Sequence, residues 1–149
     1  MALTPTQQQV ADRLKEAGAS LFVPLVGAND IDLAVRGADG QYVELKILEP
    51  DASGRAFTMG RFRPKPYVFF LCVTADETWV IPSNIFERFS AGVPGGPTHT
   101  LNFDQDDMGE TLGERLRIYR DRWMLIAEFR KYRSTLSDPV ALQMMLAMG

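Results

Sequence analysis

Between Asn29 and Ile47 apolar and polar residues alternate, pause at Asp39-Gly40, and alternate again, a period of two that a helix cannot bury on one face. Ile31, Leu33 and Val35 are interleaved with Asp30, Asp32 and Ala34, and Val43, Leu45 and Ile47 with Glu44 and Lys46. Asp-Gly between alternating runs is the signal of a tight hairpin turn. The stretch is therefore expected to form a β-hairpin with one apolar face and one charged face. Cross-strand neighbours in an antiparallel pair share a face, so a register that buries both apolar sets also gathers Asp32, Glu44 and Lys46.

A solvated hairpin face accounts for the alternation by itself. The type and order of the charges add something more. An Asp opening one strand, followed by Glu-x-Lys in the middle of the next, is an arrangement suited to a hard divalent cation beside a cationic proton handler. Mg²⁺ takes carboxylate oxygens at about 2.1 Å, uses one or two protein carboxylates, and keeps water in its remaining positions.

The pattern Asp32-(x11)-Glu44-x-Lys46, with Asp-Leu-Ala-Val at a strand start and Val-Glu-Leu-Lys on the following strand, resembles the PD-(D/E)xK phosphodiesterase superfamily and its restriction-endonuclease-like fold. The resemblance covers about residues 5–90, where the family order of helix, strand, strand, strand, helix, strand can be followed. Two features depart from it: no Pro precedes Asp32, and the first helix carries Gln7, Gln8 and Gln9 where many members place a Glu. The resemblance implies an α/β fold with a mixed central sheet flanked by helices; beyond it, about residues 98–149 are expected to add a C-terminal helical extension. It also implies hydrolysis of nucleic acid, with DNA the expected polymer, dependent on Mg²⁺ or Mn²⁺. In that scheme Asp32 and Glu44 hold the metal, Asp30 is an extra ligand, and Lys46 orients or deprotonates the attacking water. Small chains of this fold include dimeric junction resolvases, so a homodimer is an expected arrangement. Two readings of other classes stay open: a non-catalytic member that binds nucleic acid or protein, and a structural subunit that dimerises through a Met-rich C-terminal helix.

The length of 149 residues and a hydrophobic share of 46% fit one domain with a sizeable core. A formal charge of −3 supplies no global attraction to a polyanion, so nucleic-acid binding has to come from local clusters. Arg55, Arg61, Arg63 and Lys65 form such a cluster, with no acid among them, just downstream of the Glu44 and Lys46 strand; a phosphate clamp and a charged surface loop are both consistent with it. The lone Cys72 sits in an apolar run and cannot form an internal disulfide, which points to the cytoplasm. The first residues lack the basic and apolar regions of a signal peptide, and no apolar run approaches membrane-spanning length.

The remaining segments are expected as follows. Thr4-Pro5 caps a helix that Gly18 ends. A first strand over Ser20–Val26 is interrupted by Pro24. Residues 47–66 read as a long loop, with or without a degenerate helix. Tyr67–Thr74 reads as a fully covered central strand, Thr78–Pro82 as another, and Ser83-Asn84 as the cap of a short helix. Thr98–Phe103 is a last strand or arm in which His99 is solvent-facing or hydrogen-bonded. A helix runs from about Thr111 to Arg133, with an allowed break near Arg120-Asp121, and Ser137-Asp138-Pro139 caps a final Met-rich helix that covers the core or a partner subunit.

Overall fold

The computed structural model describes residues 4–22 and 33–148. Helix α1 (Pro5–Glu16) begins where the sequence places it: Thr4 accepts from the Gln7 N–H while the Gln7 side chain accepts from the Thr4 N–H, a closed capping box with Pro5 in the first turn. Its buried stripe is Val10, Ala11 and Leu14. Strands β1 (Ser20–Phe22), β2 (Leu33–Arg36), β3 (Tyr42–Leu48), β5 (Val68–Val73) and β6 (Thr78–Pro82) form one sheet in the order β1-β2-β3-β5-β6. The β3–β5 pairing is parallel and the rest are antiparallel, so the sheet is mixed, with β3 in the centre and β5 interior beside it. Val23, Pro24 and the rest of the expected first strand lie outside the described residues.

The hairpin forms as its alternation demands. Leu33 faces Leu45 and Val35 faces Val43, all four fully buried, and Gly40 takes a φ of 84° in the turn, a conformation that suits glycine. The turn is docked on the C-terminal segment: the Ala38 N–H donates to the Ala127 carbonyl at 2.9 Å, and the Arg130 N–H donates to the Asp39 carboxylate at 2.7 Å. A Cβ at Gly37 would stand 2.5 Å from the Ala127 carbonyl oxygen, so the close approach requires glycine.

The long loop expected over residues 47–66 contains a strand. Strand β4 (Ala56–Gly60) pairs antiparallel with β7 (Thr98–Asn102), burying Phe57, Met59 and Leu101 and leaving Thr58 and Thr100 outside with their hydroxyls 2.9 Å apart. The Gly and Pro residues around β4 obscured it, because its partner lies some forty residues further on and leaves no local hairpin signal. This ribbon covers the sheet face that carries Phe70 and Trp79: Phe103 stacks on Trp79 at 4.3 Å and meets Phe57 edge-on at 5.6 Å. On the opposite face Phe69 meets Phe129 at 6.0 Å.

The helix expected over Thr111–Arg133 is instead a chain of short turns. After the small ribbon β8 (Asp106–Asp107) and β9 (Glu110–Thr111) come α3 (Leu112–Arg115), a 3₁₀ turn at Arg117–Tyr119, α4 (Met124–Ala127) and α5 (Phe129–Tyr132). The break is fixed by tertiary bonds: Asp121, at φ 53°, accepts from the Thr78 N–H at 3.0 Å and donates its own N–H to the Thr78 carbonyl at 2.7 Å. An extra set of ladder-like bonds to β6 thus overrides the helical periodicity. The last helix, α6 (Pro139–Met148), is capped by Asp138 as expected, but it buries only Leu142 and leaves Met144 and Met148 exposed. Among the described residues no helix is long and apolar enough to cross a membrane.

Candidate functional site

Because Leu33, Val35, Val43 and Leu45 all point into the core, the intervening side chains of β3 must point the other way. Glu44 and Lys46 therefore share one face of β3, both half-buried, opposite Val68 and Phe70 of β5. On the hairpin side Glu44 faces Ala34. Its N–H is fixed by donating to the Tyr67 carbonyl at 2.9 Å, so the strand under the carboxylate is held from both sides. Asp30 and Asp32 lie outside the described residues; Asp32 is joined by one peptide bond to Leu33, whose partner Leu45 sits between Glu44 and Lys46. Among the described residues no three of His, Cys, Asp and Glu gather into a metal-binding group. The donor that the described chain supplies is the Glu44 carboxylate, an oxygen ligand of the kind hard divalent cations take.

The four cations expected to bind phosphate divide into two groups. Arg55 is engaged elsewhere: its Nε donates to Asp104 at 3.1 Å and its Nη1 lies 3.4 Å from Glu77, which also faces Arg120 at 3.6 Å and accepts from the Trp79 indole at 3.2 Å. Glu77 adjoins the far end of the sheet, where Thr78 pairs with Val73; that is about 16 Å along β5 from Val68, the residue opposite Glu44. Arg61, Arg63 and Lys65 are exposed and enter β5 from the Glu44 end. Among the described residues no carboxylate pairs with any of the three.

Two residues depart from the sequence expectation. His99 is fully buried, with neither ring nitrogen hydrogen-bonded, and it packs against the Phe62 ring at 4.9 Å. His99 alternates with Thr98 and Thr100 in the same phase as Leu101, but its burial is specified by the pairing with Met59 of β4, which lies far away in the chain. Ser83 does not cap helix α2 (Ser83–Phe89); the helix starts at Ser83 without a side-chain cap, and the buried hydroxyl is bonded to the Lys65 backbone instead. Burial pushes the Cys72 thiol well up, leaving it an inert core group; burial, opposed by the charge of Arg88 and aided by that of Asp138, raises the Tyr119 phenol, whose hydroxyl donates to the Leu136 carbonyl at 2.7 Å.

No family model matches the chain, and no curated protein does. Its fold is similar to that of a bacterial homing endonuclease. That solved structure, I-Ssp6803I, superposes with a TM-score of 0.56 over 83% of this chain and 87% of its own, at 18% sequence identity. At that identity the likeness to I-Ssp6803I is one of fold: a mixed sheet flanked by helices, as expected from the sequence.

Proposed function

We propose that this protein is a metal-dependent phosphodiesterase of the PD-(D/E)xK kind that hydrolyses nucleic acid, DNA in the first instance. The observation that carries the reading is the pairing of Leu33 with Leu45: it commits Glu44 and Lys46 to one face of β3, with Asp32 next to Leu33 in the sequence, in a fold similar to that of an endonuclease. In this reading Asp32 and Glu44 hold Mg²⁺ or Mn²⁺, with Asp30 as a further ligand. The ion, when bound, supplies an acidified water and neutralises charge on the phosphate. The chain's own groups do the rest. Lys46 orients the nucleophilic water as the ammonium or, as the neutral amine, takes its proton, and Arg61, Arg63 and Lys65 hold the phosphate backbone beside the carboxylates. Arg55, already paired with Asp104 and Glu77, stays structural.

Carboxylates that hold an ion in the folded state alone link its concentration to stability. Mg²⁺ or Mn²⁺ at a hundred times its dissociation constant stabilises by about 2.7 kcal/mol, or roughly 5–10 °C in melting temperature for a chain of this size. Scanning calorimetry of the wild type should show that shift, and Glu44→Gln should lose most of it. The absence of any metal-dependent shift in the wild type would remove the metal from the site and leave a nucleic-acid-binding module.

A further inference from the structure

The segment carrying Arg61, Arg63 and Lys65 is held at two points, the Phe62 ring and the Lys65 backbone. Arg61, Arg63, Lys65 and Tyr67 are exposed, while Phe62 and Pro64 are half-buried. Proline fixes its own φ and drives the residue before it out of the helical region, so Arg63 and Lys65, each followed by a proline, are held in extended backbone up to the turn at Pro66. Such backbone advances about 3.1–3.3 Å per residue, which puts alternate cations about 6–7 Å apart. The Phe62 ring anchors one end, edge-on to Phe70 at 4.8 Å, Phe86 at 5.9 Å and His99 at 4.9 Å.

The other end is bound by Ser83. Its Oγ accepts from the Lys65 N–H at 3.0 Å and donates to the Lys65 carbonyl at 2.8 Å. The Val68 N–H donates to the same carbonyl at 3.1 Å, closing a turn with Pro66 at its second position, where proline is favoured. The Tyr67 carbonyl then accepts from the Glu44 N–H. Ser83, Lys65, Tyr67 and Glu44 are thus linked by hydrogen bonds and one short turn, and Ser83 has no exposed surface of its own.

We infer that Ser83 is a positioning residue: it fixes Arg61, Arg63 and Lys65 as a rigid track for consecutive phosphates of one nucleic-acid strand, aimed at the Glu44 end of β3. The inference rests on the nuclease reading above. A backbone ordered before binding removes part of the entropy cost of immobilising long cationic side chains. Because the track meets phosphates only, it reads no base sequence.

The test is fluorescence anisotropy of labelled single-stranded and duplex DNA in chelator, across a range of salt, with circular dichroism confirming that each variant is folded. The triple variant Arg61→Gln/Arg63→Gln/Lys65→Gln should flatten the dependence of log Kd on log salt by about 2–3 for duplex, roughly 0.9 per lost phosphate contact. Ser83→Ala should weaken binding about fivefold to tenfold with the salt slope unchanged, and should cause no further loss in the triple variant. Pro66→Gly, which loosens the turn at an exposed residue, should behave as Ser83→Ala does. Equal losses from Ser83→Ala in both backgrounds, or none from either loosening variant while the triple variant binds poorly, would overturn the inference and leave the nuclease reading intact. A wild type that binds neither DNA at low salt would remove both.

Discussion

His99 stands in β7 with Nδ1 and Nε2 both buried and both without a hydrogen-bond partner, and replacing it should stabilise the protein. An unpaired buried polar group costs about 1–3 kcal/mol, and a neutral imidazole carries one donor and one acceptor. Against this, the ring packs on Phe62 at 4.9 Å, and Nδ1 would lie 3.3 Å from a Cβ on Gly92, so a bulkier ring has little room. His99→Leu keeps an apolar side chain of similar volume and removes both polar atoms; its repacking should cost less than about 1.5 kcal/mol. The net expectation is a gain of about 1 kcal/mol, or roughly 2–4 °C. His99→Asn keeps the unpaired polar atoms and loses the ring contact, so it should lower stability. Urea unfolding with an unchanged m-value, alongside calorimetry, measures both. A loss of 1 kcal/mol or more in His99→Leu would refute the reasoning, because it would mean that the imidazole nitrogens earn their place through bonds of their own.

Arg55→Gln breaks the contacts with Asp104 and Glu77 and should lower the melting temperature while leaving the salt dependence of DNA binding unchanged; urea melts and anisotropy separate the two. Cys72 and Tyr119 bind their protons more tightly folded than unfolded, so the stability they contribute is complete below their ordinary values of 9.0 and 10.0 and is lost as pH rises above them. Melting temperature followed through the alkaline range should therefore fall for the wild type from about pH 9, and Cys72→Ala should postpone the first part of that fall.

The elements read correctly from the sequence are those whose signals are local. Thr4, Pro5 and Gln7 close a box within one turn, and Asp39-Gly40 joins strands whose alternation forces the register Leu33 to Leu45. That register put Glu44 and Lys46 on one face, as expected; Asp30 and Asp32 lie outside the described residues. What was missed depends on partners distant in the chain. The β4 strand is specified by β7, the break at Asp121 by bonds to Thr78, and the true role of the Ser83 hydroxyl by Lys65. Arg55 and Arg61 are equally basic in the sequence, and only folding distinguishes them, by placing Asp104 and Glu77 beside one and leaving the other exposed.

The most direct test of the proposed activity is cleavage of DNA by the purified chain with Mg²⁺, Mn²⁺ or chelator, comparing wild type with Lys46→Ala, Glu44→Gln and Asp32→Asn. If Glu44 and Asp32 hold the ion while Lys46 handles the water, chelator and all three substitutions abolish cleavage, but Lys46→Ala keeps the metal-dependent rise in melting temperature that the two carboxylate variants lose. Cleavage that persists in chelator or in Asp32→Asn would contradict the account.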